Sequence, residues 1–452
     1  MSGLRASLRV PEFRALLVSY VINRAGDVVG ALALAVIVFG ATGSALATAM
    51  LFMATQFVPG LVGPPIVARI DQAAPGRILP GLYVVEGGLF VLLAALVHHA
   101  AIAPIVAIAF IDATLAFCAR TITRSAVAST LIPHDLMPEG KAAFNLALAT
   151  AMIAGPVVAG LAIAILGGPV ALLVDGGSFL LAATLIARAP ALRAGEPARP
   201  TGLAVRGRLR QGLRYIGDHP TLRALIVGEG LAFVFFYLVV PVTVVYATRS
   251  LHAGAGGYAA ILAAWGIGMA LGSAAQVRLA RRVGTALILL STLAVATGYL
   301  GTAVAATLPI ACAASVVGGL GNGLQWASVE TTVHQLVEEA FRTRVAAVLE
   351  ALAAMAPGAG ILLGGLLTSL FSPRAAYLAA GLGLVVLVSA AAVRALIRSV
   401  PAVGVSAAAG SNAQLSVSAV GVPAAAGSRA QLSVGEVDGP AAESTGAGGA
   451  VK

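Results

Sequence analysis

The chain has 452 residues, 59% of them hydrophobic and only 10% charged, with a net charge of +10 and a mean hydropathy of +0.97. A soluble domain carries about 25% charged residues, so the composition excludes a water-soluble enzyme and points to a membrane protein. Its basic residues stand singly between apolar runs with no interleaved aromatic side chains, which argues against nucleic-acid binding and assigns the charge to topology.

A helix that crosses a bilayer needs about 20 mainly apolar residues. In chain order, twelve such runs read as spans: 13–39, 45–67, 78–97, 102–119, 142–166, 169–188, 222–247, 257–277, 284–306, 309–330, 344–370 and 375–397. The first follows Arg5, Arg9 and Arg14 and is too long for the core of a cleaved signal, so it reads as a retained helix. The gap between the fourth and fifth is the least sharply marked, because Ser125–Ile132 is itself fairly apolar. The expected fold is an all-α membrane protein of twelve helices in two six-helix halves, 1–188 and 222–398. A cytoplasmic loop, 189–221, joins them and is expected to carry an amphipathic surface helix near Val205–Ile216. The remainder, 399–452, is poor in charge and repeats itself, Ala407–Val417 recurring almost unchanged as Ala424–Val434. Such low-complexity sequence buries no core and reads as a disordered tail.

Arginine placement orients the spans. With the N-terminus inside, 25 of the 28 basic residues fall on the cytoplasmic side, only Arg249 and Arg374 fall outside, and Arg24 lies within the membrane. By the positive-inside rule both termini are cytoplasmic, in a multi-pass protein of the cell membrane.

Arg24 and Asp27, inside the first span, are the most informative residues. An ionisable group at mid-bilayer costs about 2.5–3.5 kcal/mol on insertion scales and normally faces a partner or a cavity. Three residues apart, the two share a helix face within pairing reach. They read either as a self-neutralising structural pair or as a group that handles protons or substrate. Other carboxylates within the spans are Glu86, Asp112, Asp175, Glu229, Glu330 and Glu350. Glu330 sits at a cytoplasmic end, Glu350 is about two turns in from that side, and Asp175 reads as a structural hydrogen-bonding group. Asp27, Glu86, Asp112 and Glu229 form the deeper set, with Arg24 the one clear deep cation. Burial without a partner favours the protonated form of a carboxylate, which suits proton coupling, and the excess negative charge would attract a cationic substrate. The expected mechanism is exchange, proton and substrate competing for one acidic site while the halves rock; Asp27 is the first candidate, ahead of Glu86 and Asp112.

The halves also echo each other. Gly63 precedes Arg69 by six residues as Gly272 precedes Arg278, and Gly155-Pro156-Val157-Val158-Ala159-Gly160 is answered by Ala356-Pro357-Gly358-Ala359-Gly360. Repeated halves with a site at their interface mark many secondary transporters. No Gly-x-x-x-x-Gly-Lys-Ser/Thr run is present, so a proton gradient rather than ATP is the expected energy source. No cofactor is called for: His98-His99 reads as a solvated outer turn, Cys118 and Cys312 fall within spans, and no nucleophile–base pair is legible.

Several stretches resemble the major facilitator superfamily, nearest the branch of bacterial drug and siderophore exporters that includes the enterobactin exporter. They are Phe13-Arg14-Ala15-Leu16-Leu17 with Gly26-Asp27, Thr42-Gly43-Ser44-Ala45-Leu46, and Leu209-Arg210-Gln211-Gly212-Leu213-Arg214-Tyr215-Ile216 with His219-Pro220-Thr221-Leu222-Arg223. Arg342-Thr343-Arg344-Val345 adds to them. The resemblance covers about residues 8–398. It implies a non-enzymatic transporter, expected to be monomeric, whose partners are lipid, protons and a small amphipathic molecule such as a drug, siderophore or secondary metabolite. It also implies that Gly155, Pro156 and Gly160 form an exporter's antiporter motif, and that Arg120 stands where related antiporters use a basic residue for proton transfer. The family's charged turn between spans two and three is partly kept, running from Gly63 to Arg77. Asp71 holds the acidic position and Gln72 replaces the usual arginine, so Arg69 and Arg77 are left as the basic gate residues. Import of a nutrient on the same fold, or a sensor or scaffold that has lost transport, are the competing readings.

Overall fold

The computed structural model describes residues 6–70, 74–97, 101–190, 192, 205–283 and 286–399. Twelve long helices follow one another there, with one short amphipathic helix between the sixth and the seventh. The first three long helices are α1 Pro11–Thr42, α2 Ala45–Phe52 continued through Met53–Phe57 into Val58–Ile70, and α3 Pro75–Leu96. Then come α4 Ile102–Leu131, α5 Met137–Leu166 and α6 Gly168–Ala187. After the amphipathic α7 Val205–Asp218, the second set begins with α8 Pro220–Val239, continued through Val242–Val245 and Tyr246–Ser250. It is completed by α9 Gly254–Val283, α10 Ala286–Val304, α11 Leu308–Leu336, α12 Glu339–Leu370 and α13 Pro373–Ser399. Among the described residues, ten of these helices are long and apolar enough to cross a membrane. Their outer surfaces keep large apolar side chains exposed, Val84, Leu271, Leu290 and Val386 among them, as a lipid-facing surface requires.

Local chemistry sets the ends. Pro11 opens α1 where a missing N–H costs nothing. Gly43 closes it in the left-handed region (φ 61°), its N–H donating to the Phe39 carbonyl, and the Ser44 Oγ then caps α2 by accepting from the Ala47 N–H. In α2 the Val58 N–H donates to the Met53 carbonyl, one residue further back than in an α-helix. Pro59 follows at once, and the extra residue of this π turn absorbs the bond its ring cannot make.

The helix ends differ most from the sequence expectation between α4 and α5, and by five or six residues at the end of α9, the end of α11 and the start of α12. α4 does not stop at residue 119 but runs to Leu131, and α5 starts at Met137 rather than 142. An apolar window ends at Arg120 and Arg124, yet nothing there breaks a helix; Pro133 and the left-handed Asp135 do. α7 covers Val205–Asp218 as a polar-faced helix packed on the start of α12, where Gly212 lies against the Arg344 carbonyl.

Small residues let the helices touch. Gly268 and Gly272 of α9 lie on the Val316 and Leu320 carbonyls of α11, while Gly319 and Gly323 of α11 lie on those of Trp265 and Met269. Two four-residue glycine spacings thus interlock at backbone distance. The two sets of helices meet along α2–α12 and α5–α9. A Cβ on Gly365 would stand 2.5 Å from that of Ala49, one on Gly160 2.5 Å from that of Ala259, and one on Gly358 2.8 Å from the Phe57 ring. These approaches run from the Gly43 end to mid-span. At that end Arg249 donates to the Gly43 carbonyl and lies 5.3 Å over the Phe39 ring, tying α8 to α1. The expected tail, 399–452, lies outside the described residues apart from Ser399, and His98-His99 lies wholly outside them.

Candidate functional site

α1 places Arg24 and Asp27 at the middle of its length, one turn apart. Arg24 Nη1 donates to Asp27 Oδ2 at 3.2 Å, and Arg120 Nη1 of α4 stands 3.6 Å from the same oxygen. One carboxylate is held between two guanidiniums. The side chains of Arg24 and Arg120 are 30% and 33% exposed, that of Asp27 12%, so the cations reach the accessible surface and the anion sits behind them.

Three more carboxylates stand deeper, around this clamp. Glu86 of α3 is fully buried, and neither of its oxygens has a hydrogen-bond partner. It lies within the fields of Asp112, Asp27, Arg120 and Asp175. Asp112 of α4 is buried with Oδ1 unpartnered. Asp175 of α6 is also buried, with Oδ1 accepting from the Ser178 hydroxyl at 3.2 Å and Oδ2 unpartnered. The structure therefore brings together all five residues read as the coupling set, Asp27, Arg24, Glu86, Asp112 and Arg120.

Asp175, read as a structural hydrogen-bonding group, does accept from Ser178 and also stands beside the clamp, a placement that reading did not include. Cβ atoms built on Gly26 and Gly30 would run into its carboxylate, so those two glycines form the notch that admits it to α1. The signal was available in the sequence: Gly26 and Gly30 are four apart and flank Asp27. Four carboxylates thus stand against two guanidiniums in this cluster.

The remaining sequence candidates fall elsewhere. Arg69 and Arg77 are exposed at the facing ends of α2 and α3, and Asp71 between them lies outside the described residues. Gly155, Pro156 and Gly160 are buried at a helix junction: Gly155 meets Val28 of α1, and Gly160 meets Ala259 of α9 in the other half. Gly360 and Gly358 of α12 repeat this, meeting Val234 of α8 and Phe57 of α2, so the sequence echo is a packing echo. Glu229 of α8 is a separate buried carboxylate that accepts from Gln325 Nε2 of α11 at 3.2 Å.

α8 carries Phe233, Phe236 and Tyr237, the Phe233 ring lying 5.8 Å from that of Trp326 in α11. An apolar groove between α2 and α4, about 540 Å³ and lined by residues such as Met50, Val106 and Phe110, offers no polar group to orient a ligand. Among the described residues no three His, Cys, Asp or Glu side chains could hold a metal ion.

Comparison with known proteins agrees with this architecture. A family model described as Major Facilitator Superfamily matches residues 225–428. A search of curated proteins finds no significant match. Among solved structures, a bacterial homologue of the human lysosomal transporter Spinster, inward-facing and occupied, is 14% identical with a TM-score of 0.65, covering 85% of this chain and 97% of that one. A POT family transporter in complex with 5-aminolevulinic acid is 12% identical with a TM-score of 0.64, covering 86% and 96%. A bacterial homologue of the iron transporter ferroportin, inward-facing, is 15% identical with a TM-score of 0.63, covering 84% and 99%. The fold is that of an all-α membrane protein with twelve helices in two six-helix halves, the major facilitator fold.

Proposed function

We propose that this chain, built on the major facilitator fold, is a proton-coupled secondary transporter of small amphipathic organic compounds, working as an exporter in the cell membrane with both termini cytoplasmic. One observation carries the coupling: Asp27, at mid-span, is held between Arg24 and Arg120 beside three buried carboxylates that keep unpartnered oxygens. A proton on Asp27 dissolves both ion pairs together. Proton and cargo are therefore read by the same three side chains, and a cationic cargo competes with the proton for Asp27. That competition is the coupling an antiporter needs.

The direction rests on Gly155, Pro156 and Gly160, whose run resembles the antiporter motif and whose two glycines join α5 to both α1 and α9. Small residues at both contacts leave α5 free to slide as the halves rock. A second reading is import by symport. It is favoured by the exposure of the two guanidiniums, since protonating Asp27 would release them to bind an anion alongside the proton. The halves approach each other from the Gly43 end to mid-span, which supports a state open toward the arginine-rich, cytoplasmic side.

Intact cells with and without a protonophore separate the readings. Export predicts that collapsing the gradient raises the internal level of a transported compound, and that Asp27→Asn does the same. Import predicts a fall in both cases. No change in either, across cationic and anionic compounds, would remove the transport reading.

A further inference from the structure

Two stretches that stand out in the sequence, 209–223 and 342–345, take no part in the Asp27 cluster. The structure brings them together at one place. α7 is seated on the start of α12 with Gly212 against the Arg344 carbonyl, where a Cβ would leave no room. Beside that contact lies a cavity of about 430 Å³, lined by Gln211, Arg214, Tyr215 and Asp218 of α7 and by Phe341 and Arg344 of α12.

A column of stacked groups forms one wall. His219 lies on Tyr215 with ring centroids 4.1 Å apart, Tyr215 on Phe341 at 4.4 Å, and the Arg344 guanidinium stands 4.7 Å over Phe341. Hydrogen bonds fix the column: His219 Nδ1 donates to the Tyr215 carbonyl at 2.8 Å, and the Tyr215 hydroxyl accepts from the Glu338 N–H at 3.4 Å. A guanidinium stacked on a ring keeps its N–H groups in its own plane, ready for a second partner.

That second partner is missing from the protein itself. Among the described residues the side chains of Arg214, Arg344 and Asp218 make no hydrogen bond or ion pair. Arg214 and Asp218 are four apart on α7, a spacing that permits pairing, yet they stay separate. Two cations and one anion thus line a single cavity with their hydrogen-bonding capacity unspent.

We infer that this cavity binds a phosphate ester that also carries a hydroxyl or amine. Its phosphate rests on Arg214 and Arg344, with the Gln211 amide as a further donor, and its hydroxyl or amine donates to Asp218. Guanidiniums from two helices call for an anion with acceptors in more than one plane, which a tetrahedral phosphate has and a planar carboxylate lacks. Two arginines against one aspartate leave a single positive charge, the match of a phosphodiester, and a bare anion would leave Asp218 unsatisfied. A phospholipid headgroup and a soluble phosphate ester share this chemistry. The inference is independent of what the chain transports. A ligand so held fastens α7, which joins the two halves, to α12, which packs on α2 of the other half through Gly358 and Gly365. Occupancy therefore stabilises the folded protein by linkage.

The test is thermal unfolding of the purified full-length protein in detergent at fixed ionic strength, followed against ligand concentration. Each phosphate compound is paired with a twin that lacks the phosphate: glycerol 3-phosphate with glycerol, and dioctanoyl phosphatidylglycerol with dioctanoylglycerol. Inorganic phosphate is titrated beside them. A saturable rise in unfolding temperature is expected from at least one phosphate compound and not from its twin, and the tighter of the two identifies the source as soluble ester or headgroup.

Arg214→Gln and Arg344→Gln are each expected to weaken that binding about tenfold. Arg210→Gln removes an exposed arginine one turn away that does not line the cavity, and should leave the affinity unchanged. Asp218→Asn is expected to abolish the preference for glycerol 3-phosphate over inorganic phosphate. Four results would overturn the inference: no saturable shift from either phosphate compound, equal shifts from the phosphate-free twins, equal weakening by Arg210→Gln and Arg214→Gln, or a preference that survives Asp218→Asn. Arg210 and Arg214 are both exposed, so their variants keep the fold and decide the matter even where Arg344→Gln does not express.

Discussion

At the scale of single residues, the clamp and its buried neighbours make different demands. Asp27 pairs with both Arg24 and Arg120, and its replacement by Asn removes the charge while leaving an amide oxygen that can accept from either guanidinium. Asp27→Asn is expected to unfold within a few degrees of wild type in detergent while losing coupled transport. Glu86 behaves otherwise. It is fully buried and has no hydrogen-bond partner, so Glu86→Gln keeps the shape and removes an ionisable group. Equal or raised thermal stability is expected there; a large loss would mean that Glu86 is ionised and paired.

Gly30 is the steric test of the same region. A methyl group there would overlap the Asp175 carboxylate and crowd the Phe90 ring, and overpacking of this kind costs about 1–3 kcal/mol, so Gly30→Ala should lower the unfolding temperature measurably. The intramembrane charges were legible in the sequence, because an Asp or Arg inside an apolar run is conspicuous whatever surrounds it. That Arg24 and Asp27 pair was legible from their spacing; which groups of other helices join them was not. Asp175 lies 148 positions from Asp27 (27 to 175), and only the packing of α6 on α1 through Gly26 and Gly30 brings it in.

Between elements, glycines decide which helices touch. The reciprocal contacts of Gly268 and Gly272 with Gly319 and Gly323 hold α9 and α11 at backbone distance, too close for any side chain. Gly319→Leu is expected to separate the pair and abolish a stable fold, whereas Gly81→Leu, at a glycine with open space around it, should be tolerated; expression and thermal unfolding of the two variants compare them. The sequence displayed these spacings, but in a chain with 53 glycines they do not stand out from the background. The expected span ends show a related limit. Hydropathy reports where lipid stops and helix-breaking residues report where the helix stops, and in α4 the two differ by twelve residues, from 119 to 131.

Arg249 is the corresponding device at the Gly43 end. It donates to a carbonyl of α1 and lies over Phe39, so Arg249→Ala should loosen the closure there. A cysteine introduced at Ala49 in a background lacking Cys118 and Cys312 would then react faster with a membrane-impermeant thiol reagent than in the parent. An unchanged rate would mean that the α2–α12 and α5–α9 contacts close this end alone.

For the whole molecule, twelve helices in two related halves were readable from composition, run length and the echo of Gly155–Gly160 in 356–360. Their meaning was not, because an echo of small residues says that two helices pack alike without naming their neighbours. The structure supplies those neighbours: α5 meets α1 and α9, and α12 meets α8 and α2. The central claim is that Asp27 couples protons to cargo.

Proton release from acidified everted vesicles tests it most directly, with a panel of amphipathic cations and siderophores added to wild type and to Asp27→Asn. The account predicts release triggered by a cargo in wild type and its absence in the variant, with the variant still present in the membrane. Release of equal size from Asp27→Asn would contradict it, and would move the coupling site to Glu86, Asp112 or Glu229.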